Sequence, residues 1–94
     1  MRVTIEGVEY RFYFKHDPEH GTLCVMEGLE GPHKFTVSSV IAGGDKFCKA
    51  IGRRVSLTRL LRAPSHPTRL GWTREERDLI WAEYFKQHRD LLHG

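Results

Sequence analysis

The sequence predicts an α+β domain: a four-stranded antiparallel sheet followed by two C-terminal helices, in the order ββββαα. Three observations carry this. Roughly the first forty residues alternate apolar and polar side chains in short runs separated by turn-forming residues, which is the strand period. From residue 45 onward the apolar spacing changes to the helical one. Thr73 then carries a capping signature that opens a second helix.

Taken in order, Val3 and Ile5 alternate with polar neighbours, and Glu6 and Gly7 offer a turn. Val8, Tyr10, Phe12 and Phe14 then alternate with Glu9, Arg11, Tyr13 and Lys15, giving a β-hairpin with one buried face. Residues 16–21, HDPEHG, read as a turn, with Asp17-Pro18 supplying the bend and Gly21 the exit. Residues 23–26 form a third short strand, and residues 27–32, which contain Gly28, Gly31 and Pro32, a loop. Phe35, Val37, Ser39 and Ile41 alternate with Lys34, Thr36, Ser38 and Val40 as a fourth strand before Gly43 and Gly44. Short connections between successive strands favour an antiparallel meander.

Residues 45–61, DKFCKAIGRRVSLTRLL, form the next element. At about 100° per residue, Phe47, Cys48, Ile51 and Val55 share one side, and Ala50, Leu57 and Leu61 continue the same arc. Arg54 falls inside that arc and Arg53 on the opposite, more solvated side. Gly52 leaves two readings open. It either breaks the helix, with Ser56 capping a second segment, or stays within a continuous helix that holds the Arg54 guanidinium toward the core and a subunit interface. In the second case Arg54 needs an acceptor, supplied by the chain itself or by a bound anion. Residues 63–71 contain Pro64, Pro67 and Gly71 and form a loop. After it, Thr73 and Glu76 make a capping box. Trp81, Phe85, His88 and Leu92 follow at i, i+4, i+7 and i+11, with Ile80, Tyr84 and Leu91 beside them, as a core-facing stripe.

Ninety-four residues suffice for a single domain spanning residues 1–94, and a chain this short gains from self-association, so a dimer or larger homo-oligomer is expected. A hydrophobic content of 39% argues against disorder. The sequence contains neither a leader-type apolar run nor a stretch of the roughly 20 apolar residues that spans a bilayer, so a cytoplasmic protein with no membrane partner is expected. Cys24 and Cys48 read as reduced, partly buried thiols.

Few catalytic or metal-binding patterns are present. His16, Asp17, His20 and Cys24 form an H-D-x-x-H-x-x-x-C run, but no second pair at zinc-site spacing accompanies it, and it reads as a solvated hairpin loop with no metal. His88 on the apolar stripe reads as a structural histidine. No serine lies in G-x-S-x-G, and the glycines form neither a dinucleotide-binding nor a phosphate-loop motif. No catalytic residues and no cofactor are assigned, and a non-enzymatic protein is expected.

The charge is segregated. Between residues 46 and 74 lie Lys46, Lys49, Arg53, Arg54, Arg59, Arg62, Arg69 and Arg74 with no Asp or Glu, a local charge of +8 in a chain of net +3. Such asymmetry calls for an anionic partner. Guanidinium groups fit phosphate oxygens and a phenyl ring can stack on a base, so Phe47 beside Lys46, Arg53, Arg54 and Arg59 forms a candidate nucleotide or nucleic-acid surface. The competing reading is a solvated helix face above a core phenylalanine.

The spacing D-x-F-x4-G-R-x3-L-x-R-x-L, carried by Asp45, Phe47, Gly52, Arg53, Leu57, Arg59 and Leu61, resembles a segment of small bacteriophage and prophage proteins. Through them the C-terminal half resembles the first family of Thoeris anti-defence proteins, sponges that sequester cyclic ADP-ribose-type and cyclic oligonucleotide immune signals without cleaving them. The resemblance implies that Phe47 stacks on an adenine and that Arg53 or Arg59 contacts phosphate. It also implies a sheet core with two C-terminal helices, ligands held between subunits, and residence in the host bacterial cytoplasm. The N-terminal half matches no part of that pattern; Arg11, His33 and Lys34 are chemically suitable additions only. The alternatives are a small basic nucleic-acid-binding protein and a protein-interaction inhibitor of a host factor.

Overall fold

A computed structural model describes residues 1–17, 21–28, 33–38, 49–67 and 69–88. The expected order of elements is found: β1 (Arg2–Ile5), β2 (Val8–Asp17), β3 (Gly21–Gly28), β4 (Lys34–Ser38), α1 (Lys49–Arg62) and α2 (Arg74–Gln87). The strands form one antiparallel sheet in sequence order. Gly7 makes the β1–β2 turn possible. It and Glu6 both take positive φ, 79° and 52°, and glycine adopts that region without the Cβ clash that Glu6 must tolerate.

The second hairpin is longer than its composition suggests. His16 and Asp17 continue β2 and pair with Thr22 and Gly21, and residues 18–20 lie outside the described residues. The pairing of β2 with β3 carries the ladder up to Asp17, and Gly21 opens β3 at φ 92°. The fourth strand is described as far as Ser38; residues 39–48 lie outside the described residues, so the continuation through Ile41 and the positions of Lys46, Phe47 and Cys48 do too.

Alternation places Val3, Ile5, Tyr10, Phe12, Cys24 and Met26 on one face, where Leu57, Leu60 and Leu61 of α1, Ile80 and Tyr84 of α2, and Trp72 complete the core. Helix α1 lies over β3 and β4, and α2 reaches β1. Both pack on this face. The opposite face carries the cross-strand row Arg2, Arg11, Glu27 and Lys34, with Tyr13 beside it.

Helix α1 is continuous through Gly52, which is itself buried. Gly52, Ser56, Leu57, Leu60 and Leu61 form the buried face, spaced i, i+4, i+5, i+8 and i+9. This turns the apolar arc read from the sequence. Leu57 and Leu61 belong to it as expected, but Ile51 is 54% exposed and Val55 is half buried. Gly52 and Ser56 are buried although neither carries an apolar side chain, so hydrophobicity alone mis-sets the face. Arg53 falls within the buried arc, and Arg53 and Arg54 are both half buried.

The connection between the helices is loop, as expected, and it is anchored. The Trp72 indole N–H donates to the Ser65 hydroxyl at 2.6 Å, and that hydroxyl donates to the Leu60 carbonyl at 2.8 Å. Trp72 also meets Tyr10 edge-on at 5.1 Å and His66 at 4.8 Å. A buried indole needs an acceptor for its N–H, and Ser65 provides it. Helix α2 then starts at the capping box read from the sequence. The Thr73 hydroxyl accepts from the Glu76 amide at 3.2 Å, and the Glu76 carboxylate accepts from the Thr73 amide at 2.8 Å. Its buried positions are Glu76, Ile80 and Tyr84; Trp81 packs at the side of the core, Phe85 is exposed, and Leu91 and Leu92 lie outside the described residues. The expected stripe is therefore rotated toward the i, i+4, i+8 line that starts at Glu76.

Candidate functional site

The outer face of α1 carries three of its four arginines, Arg54, Arg59 and Arg62. Ile51, Arg54, Val55, Thr58, Arg59 and Arg62 line a shallow groove of about 420 Å³. Arg54, Thr58 and Arg62 recur at i, i+4 and i+8, so three successive turns of one helix present them along one line. Among the described residues no carboxylate lines the groove. Its floor is aliphatic, from Ile51 and Val55, and its walls are guanidinium.

The partners of these arginines differ. The Nη1 of Arg59 donates to the Ser38 carbonyl at 3.0 Å, tying α1 to the end of β4. Arg54 and Arg62 make no ion pair or side-chain hydrogen bond among the described residues, and the Arg54 Nε is a buried donor with no acceptor there. A buried, unsatisfied donor on a charged group is costly. The Thr58 hydroxyl donates to the Arg54 carbonyl at 2.7 Å, which fixes the Thr58 rotamer.

The site residues expected from the sequence divide into three groups. Arg54 and Arg59 share the groove. Arg53 does not: it lies in the sheet-facing arc near the end of β2, where it and Lys49, after burial, hold the His16 pKa below its ordinary value. His16 uses its Nδ1 with the Thr22 hydroxyl at 3.0 Å. Arg11 and Lys34 form the third group. They lie on the opposite face of the sheet, on either side of Glu27 at 4.0 and 3.7 Å, and the Tyr13 hydroxyl donates to the same carboxylate at 3.1 Å. The sheet separates them from the groove. His33 donates through its Nε2–H to the Ser65 carbonyl at 2.8 Å and serves the inter-helix connection. Lys46 and Phe47 lie outside the described residues.

Sequence reasoning missed Thr58, Arg62, Arg77 and Trp81 as neighbours of this surface. Arg77 and Trp81 are spaced i, i+4 on α2, as Thr58 and Arg62 are on α1, so each pair was legible as a helical stripe. Their adjacency depends on how the two helices pack, and the spacing does not carry that.

Other titratable groups are spoken for. Burial pushes the Cys24 thiol up to about 12, which makes it a poor thiolate ligand or nucleophile. The remaining member of the metal-like run that could approach it, His20, lies outside the described residues, and no group of three potential metal ligands occurs among the described residues. His88 is half buried, stacks on Tyr84 at 4.8 Å and meets Phe14 edge-on at 5.7 Å, a structural environment. Burial would raise the Glu76 pKa, but hydrogen bonds from Arg69 and the Thr73 amide outweigh it and hold the carboxyl below its ordinary value. No helix among the described residues is long and apolar enough to cross a membrane. Comparison with protein-family models, curated proteins and solved structures found no match to the chain.

Proposed function

We propose that the protein is a binding protein for a phosphate-bearing small molecule, held in the arginine groove of α1, and that it acts by sequestration rather than by catalysis. One observation carries the reading: Arg54 and Arg62 line an uncapped groove without internal partners among the described residues, and the Arg54 Nε is buried and unsatisfied. A phosphate presents the acceptors that such forks match. The groove supports binding over chemistry because, among the described residues, its lining offers no carboxylate, histidine or thiol to move a proton, and the Thr58 hydroxyl is committed to a backbone carbonyl. Its volume suits part of a nucleotide better than a duplex.

The cyclic ADP-ribose-type and cyclic oligonucleotide signals implied by the family resemblance are the first ligands to test. In that role the chain is a phage anti-defence sponge. Incubation with a panel of cyclic nucleotides and ADP-ribose isomers, followed by removal of free ligand, heat release and chromatography, should return an unchanged nucleotide. Recovery of a cleaved product overturns sequestration. Failure of every phosphate ligand to bind, together with binding of duplex or single-stranded nucleic acid that weakens steeply with salt, transfers the protein to the nucleic-acid class.

A further inference from the structure

We infer that the groove continues across Arg62 onto α2 and that Trp81 forms the wall for a nucleobase, so the surface takes a nucleotide with its phosphates on α1 and its base against α2. The inference rests on the phosphate-binding reading and adds a ligand class to it. A second depression, of about 280 Å³, is lined by Thr58, Leu61, Arg62, Arg77 and Trp81. It shares Thr58 and Arg62 with the first, so the two are neighbouring parts of one surface. Among the described residues its lining also lacks a carboxylate.

Each wall is already held in place. The Arg77 Nη1 donates to the Trp72 carbonyl at 2.9 Å, which fixes the guanidinium while its fork keeps further donors. Trp81 is half buried, with Phe85 stacked against it at 5.6 Å and 24° and Tyr84 edge-on at 5.4 Å. A ring restrained in this way loses little conformational freedom when a base stacks on it. Leu61, nearly buried, gives an apolar floor. Phosphate alone uses only the arginines. A fixed indole beside them adds a surface that a base can use and an inorganic anion cannot.

Titration of the full chain with ADP and with pyrophosphate at low salt tests this, because the two probes share a diphosphate and differ in the nucleoside. ADP should bind about tenfold more tightly than pyrophosphate, the stacking of one base. It should also quench tryptophan emission. Trp81→Leu should bring ADP down to the pyrophosphate affinity and leave pyrophosphate unchanged. Trp81→Phe, which keeps a ring and leaves only the buried Trp72 as fluorophore, should retain most of the ADP preference and lose the quenching. Equal binding of the two probes by the unsubstituted protein overturns the inference and leaves the phosphate reading standing; so does an ADP preference that survives Trp81→Leu. Binding of neither probe overturns both.

Discussion

Helices α1 and α2 are both fourteen residues long and pack on one face of the same sheet, but their polar side chains are disposed differently. Helix α2 satisfies its one buried charge, Glu76, within the chain. Glu76 closes the capping box and takes the Arg69 guanidinium, Arg77 donates to the Trp72 carbonyl, and Gln87 donates to Glu83 at 2.8 Å. Helix α1 has no acidic residue in its first turn, and on its outer face Arg54 and Arg62 have no partners among the described residues. A charge satisfied by the chain contributes to folding. A charge at a groove without an acceptor is available to a ligand, and that contrast, more than the density of positive charge, selects α1 as the binding element.

The contrast depends first on which face of α1 is buried, and the largest expected effect tests that. Leu57 is fully buried and Ile51 more than half exposed. Leu57→Ala should cost about 3 kcal/mol, the transfer and cavity terms of a core leucine. Ile51→Ala should change stability by less than about 0.5 kcal/mol, since alanine's helix propensity offsets the small loss of contact. Urea unfolding of both variants reads the difference. Equal costs would restore the arc expected from the sequence, with Ile51 in the core, and remove the groove.

A middle-sized effect belongs to α2. Glu76 is 5% exposed and receives both a backbone amide and the Arg69 guanidinium. Glu76→Ala should destabilise by about 2 kcal/mol through loss of the cap and of its hydrogen bonds, with the Arg69 contribution reduced by that residue's solvent exposure. The pH dependence follows from the sign of the shift. The folded pKa lies below the ordinary value of 4.5, so the stabilisation is complete above that value and is lost as pH falls through the folded pKa. Glu76→Gln, which keeps an acceptor for the Thr73 amide, should show a shallower loss of stability on acidification below pH 4.5 than the unsubstituted protein. Parallel acid limbs would mean that Glu76 is not the group that couples α2 to pH.

Much of the fold was legible because local signals agreed. The alternation through Val8, Tyr10, Phe12 and Phe14 sets one face of β2, and the Thr73 to Glu76 spacing gives the start of α2 to the residue. The face of α1 was not legible. Gly52 and Ser56 are buried without carrying apolar side chains, and a hydrophobic pattern assigns such positions to solvent. That one rotation exchanged the roles of Arg53 and Ile51 and hid the Arg54, Thr58, Arg62 line. Arg11 and Lys34 were expected at the site on chemistry alone. Strand alternation, already visible from Phe12 and Phe35, sends them to the other face of the sheet.

The smallest expected effect is the sharpest test of α1. If Arg54 had an internal acceptor, its replacement would strand that group and cost stability, as expected for a residue that faces the core or a subunit interface. The described residues supply no acceptor for its Nε, and the half-buried stem packs beside the groove. Arg54→Met keeps an unbranched stem of similar reach and removes the unsatisfied donor. Stability should therefore stay within about 0.5 kcal/mol of the unsubstituted protein or rise slightly. Oligomer mass by light scattering should be unchanged, while affinity for pyrophosphate falls. Arg54→Met with a loss of more than about 2 kcal/mol would place a hidden acceptor beside the guanidinium and make α1 resemble α2. A loss of pyrophosphate affinity at constant stability would separate the two helices, since only an external acceptor can account for it.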